Sequence, residues 1–504
     1  MTPAETPQKA GRREWIGLAV IALPCLLYSM DLTVLNLALP AISEDLRPSS
    51  SELLWIVDIY GFLVAGLLIT MGTLGDRIGR RRLLLIGAAS FGAASVLAAF
   101  ASSAGMLIAA RALLGVAGAT LAPSTMALIF NLFADPHERK VAIGVWIASF
   151  SAGAAVGPLV GGALLELFWW GSVFLIGVPV MALLLVLGPR LLPESRDPDA
   201  GRLDLASAAL SLGAVLAVIF ALKRLAEGGF HWPPLLAVAA GVVMAGLFAH
   251  RQRRLDDPLL DLDLFRIRAF SAGLATNVLG FFAAFGLFVF IAQYLQLVLG
   301  YSPLEAGLWS LPSAFGFIAG AMLAAPVLGG IRPAHVVGGG LALAAVGFAL
   351  IAQAGGIGWV VAGSVLFSLG LSPVAGLATE LVVGAAPPER AGAASGMSET
   401  GAELGGALGI AVLGSIGAAV YRSQIAIPAG VPDAAGEAAR DTPGGAVAAG
   451  ESLPGGLAAD LLHAVDVAFT DAFQAAAITS ALVAAAAAVL ATLLLRRVRA
   501  TAAA

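Results

Sequence analysis

Charge is what this sequence has least of. Asp, Glu, Lys and Arg make up 12% of its 504 residues, about half the share of a water-soluble chain. So few charges cannot cover the water-facing surface of a chain this long, which excludes a soluble multidomain enzyme or binding module. A mean hydropathy of +0.93 with 59% hydrophobic residues leaves a membrane protein. Cysteine is nearly absent as well. Cys25 is the single one, so no internal disulfide forms and the redox compartment is not legible from it. The five histidines are scattered and make no metal-ligand constellation. No GxxxxGKS or GxxxxGKT stretch occurs, which argues against direct drive by ATP. The net charge of −4 offers nothing for nucleic acid. Lysine is rare beside arginine (Lys9, Lys140 and Lys223 alone), which with the abundant Ala and Gly points to a high-GC bacterial genome.

What is present is apolar length. A spanning helix needs about 20 mostly apolar residues, and fourteen runs qualify: 15–42, 52–74, 83–101, 105–132, 141–166, 172–189, 205–223, 233–250, 269–299, 304–328, 334–354, 358–384, 391–421 and 472–495. The first is too long for a signal-peptide core and reads as a spanning helix. Charge sets the orientation independently. With the N-terminus inside, 22 of the 28 Lys and Arg residues fall on the cytoplasmic side and five outside. That split follows the positive-inside rule with both termini cytoplasmic, and an odd span count would expel the C-terminal arginines. Segment 251–268 is charged and reads as carrying a short interfacial helix. Segment 422–470 reads as the one long external loop, either a cap over the mouth or disordered. The cytoplasmic stretches GTLGDRIGRRR and GGIRPAH resemble each other weakly. This suggests two related bundles of six helices with two extra spans between them. The expected division is 1–189, 190–268 and 269–504.

Four stretches carry a family resemblance. They are MDLTVLNLALP (Met30 to Pro40), GTLGDRIGRRR (Gly72 to Arg82), RALLGVAGA (Arg111 to Ala119) and GAAVGPLVGG (Gly153 to Gly162). In this order and at these helix positions the chain resembles the major facilitator superfamily. The glycine–proline run is similar to the antiporter signature. The span count and first motif resemble the fourteen-helix drug:proton antiporters. WIVDIY (Trp55 to Tyr60), FLIGVP (Phe174 to Pro179), LPES (Leu192 to Ser195), YLQLVLGYSPLEAG (Tyr294 to Gly307) and SETGAELGG (Ser398 to Gly406) are similar to the quaternary-ammonium and fluoroquinolone efflux pumps of that branch. The resemblance implies an all-α integral membrane protein of major facilitator fold. It implies proton-driven export of small drug-like cations, with no cofactor and a monomer sufficing. It also implies the bacterial cytoplasmic membrane.

The residues themselves point the same way. An ionised Asp at a helix centre costs about 2.5–3.5 kcal/mol on insertion scales, and Asp31 lies inside the first run. It reads as a proton carrier that also attracts cations, or as a buried hydrogen-bonded acid. The resemblance places Arg111 close to it; otherwise Arg111 is a structural tie to carbonyls. Trp55, Asp58 and Phe62 share a helix face, and an acid between aromatic rings suits a lipophilic cation. The alternative is an acid reaching water at the mouth. Glu399 and Glu403, four apart on one face, read as a proton-relay pair or as an acid in the inner vestibule. Gln293, Gln296, Asn277 and Asn36 are candidate cavity groups or interhelical ties, with Gln293 the substrate candidate. Gly72, Asp76, Arg77, Gly79 and Arg80 read as a cytoplasmic gate, with lipid-phosphate binding as the bland reading. Gly153, Gly157 and Pro158 allow close packing and a bend, either for gating or for packing alone. No metal site is expected. Dication pumps of the resembled family often carry an acid midway along the tenth run, and GLWSLPSAFGFIAGAML has none; monocations are therefore expected. The rival readings are an exporter dedicated to one endogenous antibiotic or metabolite, and an uncoupled lipid-handling or sensory protein.

Orientation is directly checkable. An alkaline-phosphatase fusion at Ala504 should be inactive and one inserted at Gly430 active; the reverse pattern overturns the assignment of sides.

Overall fold

Inside a bilayer no water reaches the peptide groups, so a spanning segment closes its backbone hydrogen bonds within itself as a helix. The computed structural model describes residues 9–196, 204–228, 232–255, 262–328, 331–386 and 391–496, and contains no strand among them. The first half is built from α1 (Arg12–Leu46), α2 (Ser50–Ile78), α3 (Arg80–Ala99), α4 (Ala104–Gly118), α5 (Leu121–Leu132), α6 (Pro136–Leu167), α7 (Ser172–Leu175) and α8 (Gly177–Leu191). Next come α9 (Leu205–Gly228) and α10 (Trp232–Gln252). The second half holds α11 (Arg268–Gln293), α12 (Pro303–Leu328), α13 (Pro333–Ile351), α14 (Ile357–Gly384) and α15 (Ala391–Gln424). It ends with the short α16 (Asp433–Asp441) and α17 (Pro443–Gly450), then α18 (Gly455–Leu495).

Thirteen stretches among the described residues are long and apolar enough to cross a membrane. The fourteenth expected run lies in α9, where the described side chains of Leu205–Ala221 form one further apolar stretch. Leu167, Val186, Val242, Met322 and Leu482 are all exposed, an apolar exterior that suits lipid rather than water. Two buried cores form. One gathers side chains between Leu18 and Leu192, the other between Ala272 and Leu495, and each borrows one residue across, Val289 and Leu37. A small third cluster joins Phe62 of α2, Ile219 of α9, and Ala407 and Ala411 of α15. Through it α9 lies along the seam between the halves.

The stretch 422–470 differs from the loop expected of it. α16 and α17 fill its middle and α18 begins at Gly455, not near residue 472. With 41 residues, α18 is about 60 Å long and outruns a hydrocarbon core of about 30 Å. Its first turns carry Asp460, His463, Asp466 and Asp471, so hydropathy alone could not reveal them. Segment 251–268 contains no α-helix in its described part beyond the end of α10. A single 3-10 turn, Leu262–Arg266, stands there, and residues 256–261 lie outside the described ones. So do Gly329 and Gly330 of the weak repeat GGIRPAH. Asp204 pins α9 to α10 through Arg251 at 2.9 Å. Burial pushes its carboxyl up, but hydrogen bonds from Arg251 and Ser207 prevail and lower it to about 2.

Packing is closest at small residues. In α6, a Cβ at Gly153 would stand 2.1 Å from the Leu26 carbonyl of α1. In α12, a Cβ at Gly307 would stand 2.3 Å from the Pro158 carbonyl of α6. The second contact crosses from one half to the other. Further crossings gather at the same end, opposite the chain termini (the distal end). Gln296 donates to the Leu37 carbonyl at 3.1 Å, and Ser50 donates to the carbonyl of Asp441. Asp441 also pairs with Arg422 at 3.0 Å. The distal end is therefore shut, with α16 and α17 over it.

Gly153→Val should lower stability by about 1–3 kcal/mol through overpacking, seen as a fall in the Tm of detergent-solubilised protein. Gly246→Ala, where a Cβ meets nothing within 4 Å, should leave Tm unchanged or higher.

Candidate functional site

The centre of the first half holds an ion pair. Asp31 of α1 and Arg111 of α4 approach to 2.5 Å, with side chains 14% and 1% exposed. Arg111 also donates through Nε to the Ile56 carbonyl of α2 at 3.1 Å. Its guanidinium lies 4.6 Å from the centre of the Tyr60 ring. One guanidinium thus serves a carboxylate, a carbonyl and an aromatic face, which suits its planar fork of donors and its cation–π affinity. Arg111 stands at an acid and at a backbone carbonyl at once.

A second acidic centre faces the first. Tyr28, one turn before Asp31, donates to Glu403 of α15 at 2.7 Å. The bond runs from the first half to the second. Glu403, Asp58, Phe281 and Phe285 line one cavity of about 410 Å3 with Gly61 and Gly406. Two acidic residues from different halves therefore line one space with two phenylalanines of α11. Ring contacts connect the two centres: Tyr28 lies 6.1 Å from Tyr60 and 5.7 Å from Phe150. Glu399 sits one turn from Glu403 on α15, partly buried.

Several expected residues lie elsewhere. Phe62 is fully buried and packs, with Trp55 alongside, against Val215, Leu216 and Ile219 of α9. The aromatic neighbours in the cavity of Asp58 are Phe281 and Phe285 instead, because helix-face arithmetic on α2 cannot know which helix packs on each side. Gln293 is not beside the acids. It lines a separate distal cavity of about 620 Å3 under α17, with Leu54, Phe290, Tyr421 and Asp441.

The glycine-rich turn after α2 is braced from its own half. Gly79 has a φ of 108°, which demands glycine, and it lies against the carboxylate end of Glu194. Glu194 accepts from the Arg81 amide at 3.1 Å, and the Ser195 carbonyl accepts from the Arg80 amide at 2.8 Å. Asp76 pairs with Arg80 one turn on. Arg80 also donates to the Pro123 carbonyl at 3.4 Å, near which Gly72 packs, and Arg77 is exposed. Gly153 and Gly157 pack α6 on α1, while Pro158 meets Gly307 across the halves.

Four participants escaped the sequence reading: Tyr28, Phe281, Phe285 and Glu194. Tyr28 did carry a signal, a phenol one turn before a buried acid. The phenylalanines carried none, since Phe281 and Phe285 stand among Phe282, Phe288 and Phe290 on α11 with nothing in the order to single them out. Glu194 stood in the LPES stretch without a partner to name.

Comparisons with known proteins fit this architecture. A family model for the Major Facilitator Superfamily matches residues 21–410. The multidrug efflux pump LfrA of Mycolicibacterium smegmatis is 44% identical over 98% of this chain and 99% of its own. The methyl viologen resistance protein SmvA of Salmonella typhimurium is 37% identical over 88% and 90%. Among solved structures, a bacterial homologue of the human lysosomal transporter Spinster, inward-facing and unoccupied, superposes with a TM-score of 0.67 at 18% identity. It covers 98% of this chain and 100% of its own, which speaks for the fold alone.

Arg111→Ala should cost about 3–5 kcal/mol, because it leaves the Asp31 charge buried without its partner. In the double variant Asp31→Asn/Arg111→Gln at least half of that stability should return, measured as a double-mutant cycle of thermal unfolding.

Proposed function

The chain belongs to the Major Facilitator Superfamily, and from that membership we propose a proton-coupled multidrug efflux antiporter for lipophilic, mainly monocationic compounds. The observation that carries the reading is the meeting of Asp58 and Glu403 in one aromatic-walled cavity, tied through Tyr28 to the turn bearing Asp31. A cation entering there is attracted by two carboxyl groups and by the faces of Phe281 and Phe285. Its charge competes with a proton for the same carboxylates, and that competition is what exchange of one for the other requires. Asp31 is the main proton site, with Arg111 as its counter-ion when it ionises and Glu399 and Glu403 as relay. The relative named for multidrug efflux supports drug-like cargo, and the one named for methyl viologen resistance supports cationic cargo without favouring a single charge.

Transport proceeds by alternating access between 1–189 and 269–504, with 190–268 inserted between them. The distal end is the external one, in keeping with the distribution of Lys and Arg. In this state the external seam at Pro158 and Gly307 is closed. Opening it requires the glycine-rich turn at Gly72, Asp76, Arg77, Gly79 and Arg80 to clasp the second half in its place. The protein acts as a monomer in the bacterial cytoplasmic membrane, with both termini inside and the proton gradient as its energy source. α12 carries no acid past Glu305, hence the preference for single charges.

Asp31→Asn should abolish pH-driven ethidium export in everted vesicles while the protein still inserts; full retained transport overturns the assignment. Methyl viologen, a dication, checks the charge preference. Export of it as fast as ethidium overturns that preference and leaves proton coupling untouched.

A further inference from the structure

A recess of about 460 Å3 opens between α11, α12 and α14, beside the acid-lined cavity. Its walls include Phe281, Phe285, Phe288, Phe317 and Phe367, together with Asn277. Phe281 and Phe285 line both spaces, so the two adjoin. No charged side chain is among the described residues that line the recess. Small-molecule sites are mostly apolar with a few placed polar groups, and the lining here has that make-up.

Thr276, Asn277 and Ser368 are the polar residues of the lining, and the Ser368 hydroxyl is bonded to Ser313. Asn277 is 4% exposed, and its amide nitrogen donates to the Ser398 carbonyl at 3.0 Å and to the Ser398 hydroxyl at 3.1 Å. A backbone carbonyl only accepts, so the nitrogen must face α15 and the amide cannot flip. The oxygen is thereby turned away from α15, in a side chain that lines the recess, and it has no hydrogen-bond partner among the described residues. Buried acceptors without a donor are rare in folded proteins, and each calls for a reason. Here an acceptor is held rigid by two bonds on its other side, within a wall of phenylalanines.

We propose that this recess is a binding subsite for planar aromatic substrates bearing an N–H donor, with the Asn277 oxygen as the acceptor. The inference rests on the transport reading and sharpens its cargo. The ring system lies among the phenylalanine faces and edges. The N–H group meets Asn277, and the positive charge is answered next door by Asp58 and Glu403. Charge and hydrogen bonding are thus read in two adjoining spaces, so cations of equal charge are sorted by whether they carry a donor. A site built to bond a donor rejects an analogue that lacks it, because the acceptor is then left buried and unmet.

The test uses a matched pair of monocations, ethidium and the phenanthridinium of the same skeleton without its two amino groups. Both are titrated into the purified full-length protein in detergent. The wild type should bind ethidium at least tenfold more tightly. Asn277→Val should reduce that ratio below threefold by weakening ethidium alone, and Phe317→Ala should weaken both compounds at least fivefold. Equal affinities in the wild type overturn the proposal, and so does a tenfold ratio that survives Asn277→Val. A loss of both ligands in Asn277→Val overturns it too if the variant's Tm matches the wild type. If that variant does not fold, the wild-type ratio and Phe317→Ala decide the matter. Vesicle export separates this idea from the transport reading. A protein that binds with the expected ratio but exports neither dye sinks only the transport reading, whereas export without the ratio sinks only the subsite.

Discussion

A carboxylate inside a bilayer must have its charge answered nearby, and the pairing of Asp31 with Arg111 is where that demand is met in this protein. Bringing the two to 2.5 Å requires α1 and α4 to approach one side of α2, whose Ile56 carbonyl takes a second donor of the same guanidinium. The core of the first half is organised around that point. Tyr60 closes it from α2, and Tyr28 carries the contact onward from α1 to Glu403. A buried ion pair is weak evidence of stability in itself. Its value here lies in the helices it draws together, α1, α2 and α4.

Movement between two halves demands the opposite quality, contact without lasting adhesion. Small residues supply it. Gly307 lies on the Pro158 carbonyl, and Gly162 lies close to Pro303 and Leu304. These are backbone approaches with few side chains to disentangle, the kind of packing that lets helices separate and rejoin. The distal cap adds a polar fastening through Ser50, Asp441 and Arg422. α9 works differently: it lays Ile219 against Phe62 on one side and near Ala407 and Ala411 on the other, filling the seam with apolar bulk.

Between these constraints lie three spaces that share walls. The recess and the acid-lined cavity share Phe281 and Phe285; the acid-lined and distal cavities share Val57 and Ile410. The polar groups are spaced along them, Asn277 first, then Asp58 and Glu403, then Gln293 under the cap.

Much of this was legible from residue order alone. Asp31 and Arg111 stood out because each breaks an apolar run of spanning length, and a single charge in lipid is conspicuous wherever it occurs. Spans, glycine turns and the glycine–proline run of α6 are likewise local patterns, set by the thickness of a bilayer and the geometry of one helix. The tertiary structure alone decided which faces meet. It moved the aromatic surroundings of Asp58 from Trp55 and Phe62 to Phe281 and Phe285, and sent Gln293 to the distal chamber. It joined Tyr28 to Glu403 across 375 positions and turned the Asn277 oxygen away from α15. In lipid every helix is apolar on most sides, so hydrophobic periodicity does not mark the inward face. Only the packing of one helix on another determines which polar atoms find partners and which are left for a ligand.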